Sequence, residues 1–263
     1  MKRLNLTVLA IGAIAFLVSS AQASLLFSEG FNYNTPGTLV PNTNPGGGAW
    51  TGGNAGLTIG NGNLTYSGLT DQGGNELSIS NGAAGSAINT FANVTSGQIY
   101  YSFLLDVTAA DSGNNYFTAM NPTTGAPNGG TDAIDAYLYS NGKIGLRTAG
   151  AATVTSSSAL TLNTTYFVVL EYNFTAQTAY LYLNPTAGGS QPAATLTLAS
   201  VTTVTAIDDV GFKAASASGN YLVDNLLIGT SWADVTPSTV PEPSVLALAG
   251  LGVLGWVARL RRR

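Results

Sequence analysis

Between its two ends the chain alternates apolar and polar positions in short runs, and the runs are punctuated by Gly, Asn, Pro and Ser. Such period-two alternation, rich in β-branched and aromatic residues, predicts strands rather than helices. Expected strands are 24–31, 63–69, 76–80, 98–107, 116–121, 133–140, 143–149, 164–174, 177–184, 194–198, 210–214 and 221–228. No helical period stands out between the ends. Asn141-Gly142 tolerates positive φ and predicts a two-residue turn joining 136–140 to 143–147. A second hairpin is expected to join 165–173 with 177–183, placing Ala179, Leu181 and Leu183 on one face and Tyr180 and Tyr182 on the other. The glycine-rich stretch 36–60 is expected as a long surface loop around Trp50. The fold class predicted is all-β, an antiparallel β-sandwich occupying 24–231, with 232–240 as a linker.

Both ends break the pattern with unbroken apolar runs. Lys2 and Arg3 precede the run 4–18 and the small-residue triplet Ala21-Gln22-Ala23, the order of a secretory signal peptide. Residues 1–23 are therefore expected to form a signal helix that signal peptidase removes between Ala23 and Ser24. At the other end Pro241-Glu242-Pro243 is followed by the uncharged run 245–258 and by Arg259, Arg261, Arg262 and Arg263. Prolines keep the tripeptide extended, available to an enzyme that grips a strand. The run makes a short transmembrane helix of roughly 21 Å. The arginines form a basic anchor that stays on the cytoplasmic side.

Tripeptide, short apolar run and arginine cluster, in that order, make 241–263 resemble the PEP-CTERM sorting signal of Gram-negative bacteria. The resemblance implies recognition of Pro241, Glu242 and Pro243 by an exosortase-type membrane protease-transpeptidase. It also implies a transient stay in the inner membrane, a final place on the cell surface or in the extracellular matrix, and an association with exopolysaccharide and biofilm. The intervening segment resembles a laminin-G-like, concanavalin-type jelly roll. That likeness is carried by 26–33, by 166–172 with 180–185, and by the closing Val223-Asp224-Asn225-Leu226-Leu227-Ile228-Gly229. In such a fold the first and last strands lie side by side.

Composition narrows the chemistry. The chain has neither Cys nor His, which removes thiol and imidazole nucleophile systems and structural zinc. Within residues 24–243 only Lys143, Arg147 and Lys213 stand against all 13 acids, a field that disfavours nucleic acid. Carboxylate chemistry remains. Retaining glycoside hydrolysis needs two carboxyls about 5 Å apart, and the closely spaced acids, Asp132 with Asp135 and Asp208 with Asp209, do not fall on one face of a strand. No catalytic residue is therefore expected, and the protein is expected not to be an enzyme. Asp208, Asp209 and Asp224 are candidate calcium ligands, since hard cations take carboxylate oxygens; the same residues equally serve turns. No other cofactor is implied. Tyr137 with Tyr139, and Tyr180 with Tyr182, have the spacing of a stacking platform for a polysaccharide, or of rings packed away with their hydroxyls bonded at the edge. Three functions stay open: a non-catalytic envelope or matrix protein, a lectin-like polysaccharide-binding module, and a divergent glycan hydrolase or lyase.

Overall fold

A computed structural model describes residues 25–239 apart from 34–36, 45–47, 81, 83, 122–126, 128–130, 217 and 218. The signal-peptide junction at Ala23 and Ser24, the sorting tripeptide, the apolar run and the terminal arginines lie outside the described residues. Among those described, no helix is long and apolar enough to cross a membrane.

The strands are Leu25–Glu29 (β1), Gly37–Thr38 (β2), Thr51–Gly52 (β3), Leu57–Ile59 (β4), Leu77–Ile79 (β5), Gly85–Val94 (β6), Gln98–Ala109 (β7), Asn114–Asn121 (β8), Ile134–Tyr139 (β9), Lys143–Thr148 (β10), Val154–Ala159 (β11), Thr165–Asn173 (β12), Thr178–Leu183 (β13), Leu196–Ala199 (β14), Ile207–Ala214 (β15) and Asn220–Gly229 (β16), followed by one helical turn, Trp232–Val235 (α1). They form two antiparallel sheets, β14-β13-β12-β7-β16-β5-β4-β2 with β1 also on β16, and β11-β10-β9-β8-β15-β6-β3. This is the antiparallel β-sandwich that the alternation predicts. The first and last strands do pair, with Ser28 opposite Leu227. One edge of β16 is shared by β5, opposite 221–223, and β1, opposite 226–229. Its register with β7 shifts between Asp224 and Leu227, where Asn225 takes φ 52°.

Inward-facing residues of both sheets make the core, with Trp50, Phe103, Phe117, Tyr172, Phe212 and Tyr221 among its largest members. Each such side chain contributes roughly 1.5–3 kcal/mol by leaving water. Glu29 fastens one end of this core. Its buried carboxylate accepts from Phe31 N–H at 2.7 Å, Tyr33 Oη at 2.6 Å, Asn44 Nδ2 at 2.9 Å and Trp50 Nε1 at 3.0 Å.

Four expectations are corrected. The glycine-rich stretch is not a surface loop around Trp50: that ring is 0% exposed, stacked on Phe31 and edge-on to Phe27, and short strands β2, β3 and β4 flank it. Residues 63–69 form no strand but a loop lying over the nine-stranded sheet. Strands β6 and β11 were not expected, because Ser, Thr, Asn and Ala fill them; β11 is a mostly exposed edge with little apolar alternation to read. Finally, 232–239 is no free linker. Ser231 and Asp234 form a reciprocal capping box that starts α1, and Trp232 and Val235 are buried against the sheet.

Candidate functional site

The nine-stranded sheet turns Tyr100, Leu104, Phe167, Val169, Tyr182 and Leu227 away from the main core. Strand alternation alone would leave them in water. Instead Leu64 and Leu69 from one loop, and Trp232 and Val235 from α1, close over them as a second small core. Trp232 meets Tyr182 edge-on at 4.9 Å and Tyr100 at 6.1 Å, and its Nε1 donates to Gly189 O at 3.0 Å. Beside these rings the buried Glu171 carboxylate accepts from Tyr182 Oη at 2.6 Å, Gln191 Nε2 at 2.6 Å and Gln98 Nε2 at 3.1 Å. Burial and the neighbouring Glu171 charge push the Tyr100 phenol up to about 12. The predicted faces of the second hairpin are therefore correct, but Tyr180 and Tyr182 are no open platform, since Tyr182 is 4% exposed under Trp232.

The chain then runs back across this face as far as Thr239. Gly188 N–H donates to Thr236 O at 2.7 Å, Thr70 N–H to Pro237 O at 2.9 Å, and Thr239 N–H to Gly68 O at 3.0 Å. Ser238 bridges Leu69 in antiparallel fashion. We call 236–239 the clip.

Asp224 and Asn225, the distinctive pair of the closing strand, hold the loop that receives the clip. Asp224 accepts from Leu64 N–H at 2.9 Å, and Asn225 accepts from Gln72 N–H at 3.2 Å and donates to Thr70 O at 3.1 Å. Burial raises the Asp224 carboxyl to about 7, against the lowering effect of its two backbone donors. Asp208 and Asp209 belong to β15 in the other sheet, where Asp209 stands opposite Asn121 and Thr90. The three candidate calcium ligands are thus divided between the two sheets. Among the described residues no group of three or more acids could hold a metal ion.

The outer face of the seven-stranded sheet carries the other tyrosine pair. Tyr116, Tyr137 and Tyr139 form a row, with ring centroids 5.5 and 6.2 Å apart. Arg147 donates to Tyr137 Oη at 2.7 Å and lies 6.0 Å from its ring centroid; Lys213 donates to Tyr116 Oη with its Nζ 4.3 Å from that centroid. Tyr116 Oη in turn donates to Pro127 O at 3.0 Å. Tyr137 is 6% exposed, so this row too is largely covered, with Tyr139 partly open. Burial raises the Tyr137 phenol to about 12 despite the Arg147 donor.

Asp135, 1% exposed, shares this face and has no donor on either carboxylate oxygen. Burial first, and then the adjacent Asp132 carboxyl, hold it well above the ordinary range, with Arg147 and Lys213 acting the other way. Reasoning from strand spacing named these two acids but set them on different faces, whereas Asp132 reaches Asp135 from just before β9 rather than from within a strand. It also misplaced Arg147. A two-residue turn at Asn141-Gly142 would set Arg147 opposite the inward-facing Ala136. The actual loop is one residue longer, with only Gly142 at positive φ, and sets Arg147 opposite Asp135. That register brings the cation to the same side as the acid and the tyrosines.

Residues 239–263 match the family described as the PEP-CTERM protein-sorting motif. The chain therefore carries a signal for export and exosortase processing, with transient membrane anchoring through its C-terminal tail. No curated protein matches the chain. Solved structures similar to it include a sialidase (11% identity over 61% of this chain and 16% of that one, TM-score 0.44) and Trypanosoma rangeli sialidase in complex with sialic acid (12%, 66% and 27%, 0.43). The T. cruzi calreticulin globular domain is another (10%, 77% and 89%, 0.47). The chain thus spans well under a third of either sialidase, and at these scores none of the three assigns anything to its side chains.

Proposed function

We propose that this protein is a non-catalytic β-sandwich delivered to the cell surface or extracellular matrix, and that its function there is display. Signal peptidase frees the chain at Ser24, the tail holds it in the inner membrane, and an exosortase-type enzyme acting at Pro241, Glu242 and Pro243 passes it on. The carrying observation is that the matched motif, residues 239–263, follows directly on the β-sandwich, whose described hydrogen bonds reach Thr239. A folded domain joined directly to a sorting signal is a passenger and its address. The acid pair supports the non-catalytic part of this reading: Asp132 and Asp135 are both buried and lie against one another, whereas hydrolysis needs separated carboxyls with substrate between them. Removing 241–263 from the full chain and fractionating the cells tests the route. Loss of the surface form is expected, and normal surface display of the truncated chain would refute it.

A second reading, a lectin-like polysaccharide-binding module, is favoured by one observation. Tyr116, Tyr137 and Tyr139 line up on the outer face of the seven-stranded sheet, with Tyr139 partly open. A glycan array probed with residues 24–240, with calcium and again with chelator, decides it. Binding lost in Tyr139→Ala would place the sugar on this row; a blank array leaves display alone. Association with exopolysaccharide in a biofilm belongs to this reading and shares its test.

A further inference from the structure

The stretch just before the sorting tripeptide already has partners. Thr236 O, Pro237 O and Thr239 N–H are bonded to Gly188, Thr70 and Gly68, and Ser238 bridges Leu69. Only Val240 separates Thr239 from Pro241, so covalent geometry keeps Pro241 within about 7 Å of Thr239. An enzyme that takes its substrate as an added strand needs free backbone donors and acceptors on both sides of its recognition motif. On the upstream side those groups belong to the clip. The same backbone cannot bond Gly68–Thr70 and the enzyme at once.

We infer that residues 236–239 are a gate on sorting: the exosortase-type enzyme captures the tail from a state in which the clip has come off the nine-stranded sheet, and the closed clip delays processing. This rests on the sorting reading above. The face it involves is built for such a role. Gly68 and Gly188 both take positive φ where they receive the clip, at 80° and 68°. At Gly188 even a methyl group would stand 2.4 Å from Ser238 Cβ. Packing there is close enough to hold the segment, yet 237–239 contributes no large apolar side chain. The clip is thus tied by a few hydrogen bonds at the edge of the fold, the kind of element that opens locally without global unfolding. A ligand that takes only the open form is weakened by the fraction of time the clip is closed.

The test uses the full chain in cells that contain an exosortase-type enzyme, following conversion of precursor by pulse-chase. Leu69→Cys with Ser238→Cys locks the clip. An antiparallel pair has Cα atoms roughly 4.5–5.5 Å apart, inside the disulfide range, and no other Cys competes. Gly188→Ala wedges the clip off, and about eight Gly/Ser residues inserted after Thr239 let the motif reach the enzyme with the clip closed. Expected results are conversion several-fold slower in the oxidised double variant, back to the wild-type rate on reduction, and several-fold faster in the wedge and spacer chains. Equal rates in all chains would overturn the gate and leave the sorting reading standing. A double variant equally slow in both redox states would also overturn it, since the defect would then lie in the substitutions. If the wild-type chain is never converted with the enzyme present, the sorting reading falls, and the gate with it.

Discussion

The two sheets present outer faces of opposite kinds. On the nine-stranded sheet the outer side chains are aromatic and aliphatic, and the chain covers them with its own loop 64–70, the turn carrying Gly188 and Gln191, and α1. On the seven-stranded sheet they are tyrosines, acids and cations, among them Arg147 and Lys213, closed over by hydrogen bonds and cation–π contacts. Apolar outer rings must be sealed by further apolar groups, because water gains nothing at them. Polar rings can be sealed by one another. The first face is therefore bonded to the stretch 236–239 that precedes the sorting tripeptide.

Substitutions can break or sharpen this contrast. The largest effect is expected from Trp232→Ala, which empties the ring site between Tyr100 and Tyr182 and loosens α1. Denaturant titration should show a loss of about 3–5 kcal/mol. On the opposite face Tyr137→Ala, whose ring is held by polar contacts, should cost less in the same assay, about 1–3 kcal/mol.

Next comes pH. Asp224 titrates at about 7 when folded and near 3.9 when unfolded. The folded state thus binds more protons between those values, so stability is full below about pH 4 and falls as pH rises towards 7. Asp135 works in the same direction from the other face. The wild-type melting temperature should be higher at pH 5 than at pH 8. Asp224→Asn should flatten that profile while weakening the hold on loop 64–72. Asp135→Asn should flatten it without touching the clip, and should raise the melting temperature at pH 8. A profile that rises from pH 5 to pH 8 in the wild type would contradict both assignments.

The smallest change is expected for Arg147→Ala, about 0.5–1 kcal/mol from the lost cation over Tyr137. Spectrophotometric titration should then show one phenol moving further up, because the Arg147 donor now holds Tyr137 down. Unchanged phenol titration would mean that the Arg147–Tyr137 contact is not made in solution.

Much of the sandwich was legible in the chain because period-two alternation is a local signal. Strands such as β7, β12, β13 and β16 fall where Val, Leu, Tyr and Phe alternate or run together. Legibility failed where apolar residues were scarce. Strand β6 is drawn into the sheet by β15 and β3 on its two edges, and Trp50 is buried by partners 19 to 162 residues away along the chain, from Phe31 to Phe212. The Tyr180/Tyr182 pair shows the same limit at the candidate site. Its side of the strand was readable, but whether that side faces water was not, since the covering Trp232 arrives from 50 residues on.

What the sequence determined by itself is the sorting address and the architecture: the C-terminal motif and the alternation that makes two antiparallel sheets are both written in neighbouring residues. What tertiary structure decided is which surfaces remain. One extra residue in the loop at Gly142 moved Arg147 beside Asp135, a turn before β9 brought Asp132 to the same acid, and distant loops closed over Tyr182 and pinned 236–239 against Gly68. Those outcomes depend on register and on contacts between remote segments, and no local pattern of hydrophobic and polar residues encodes them.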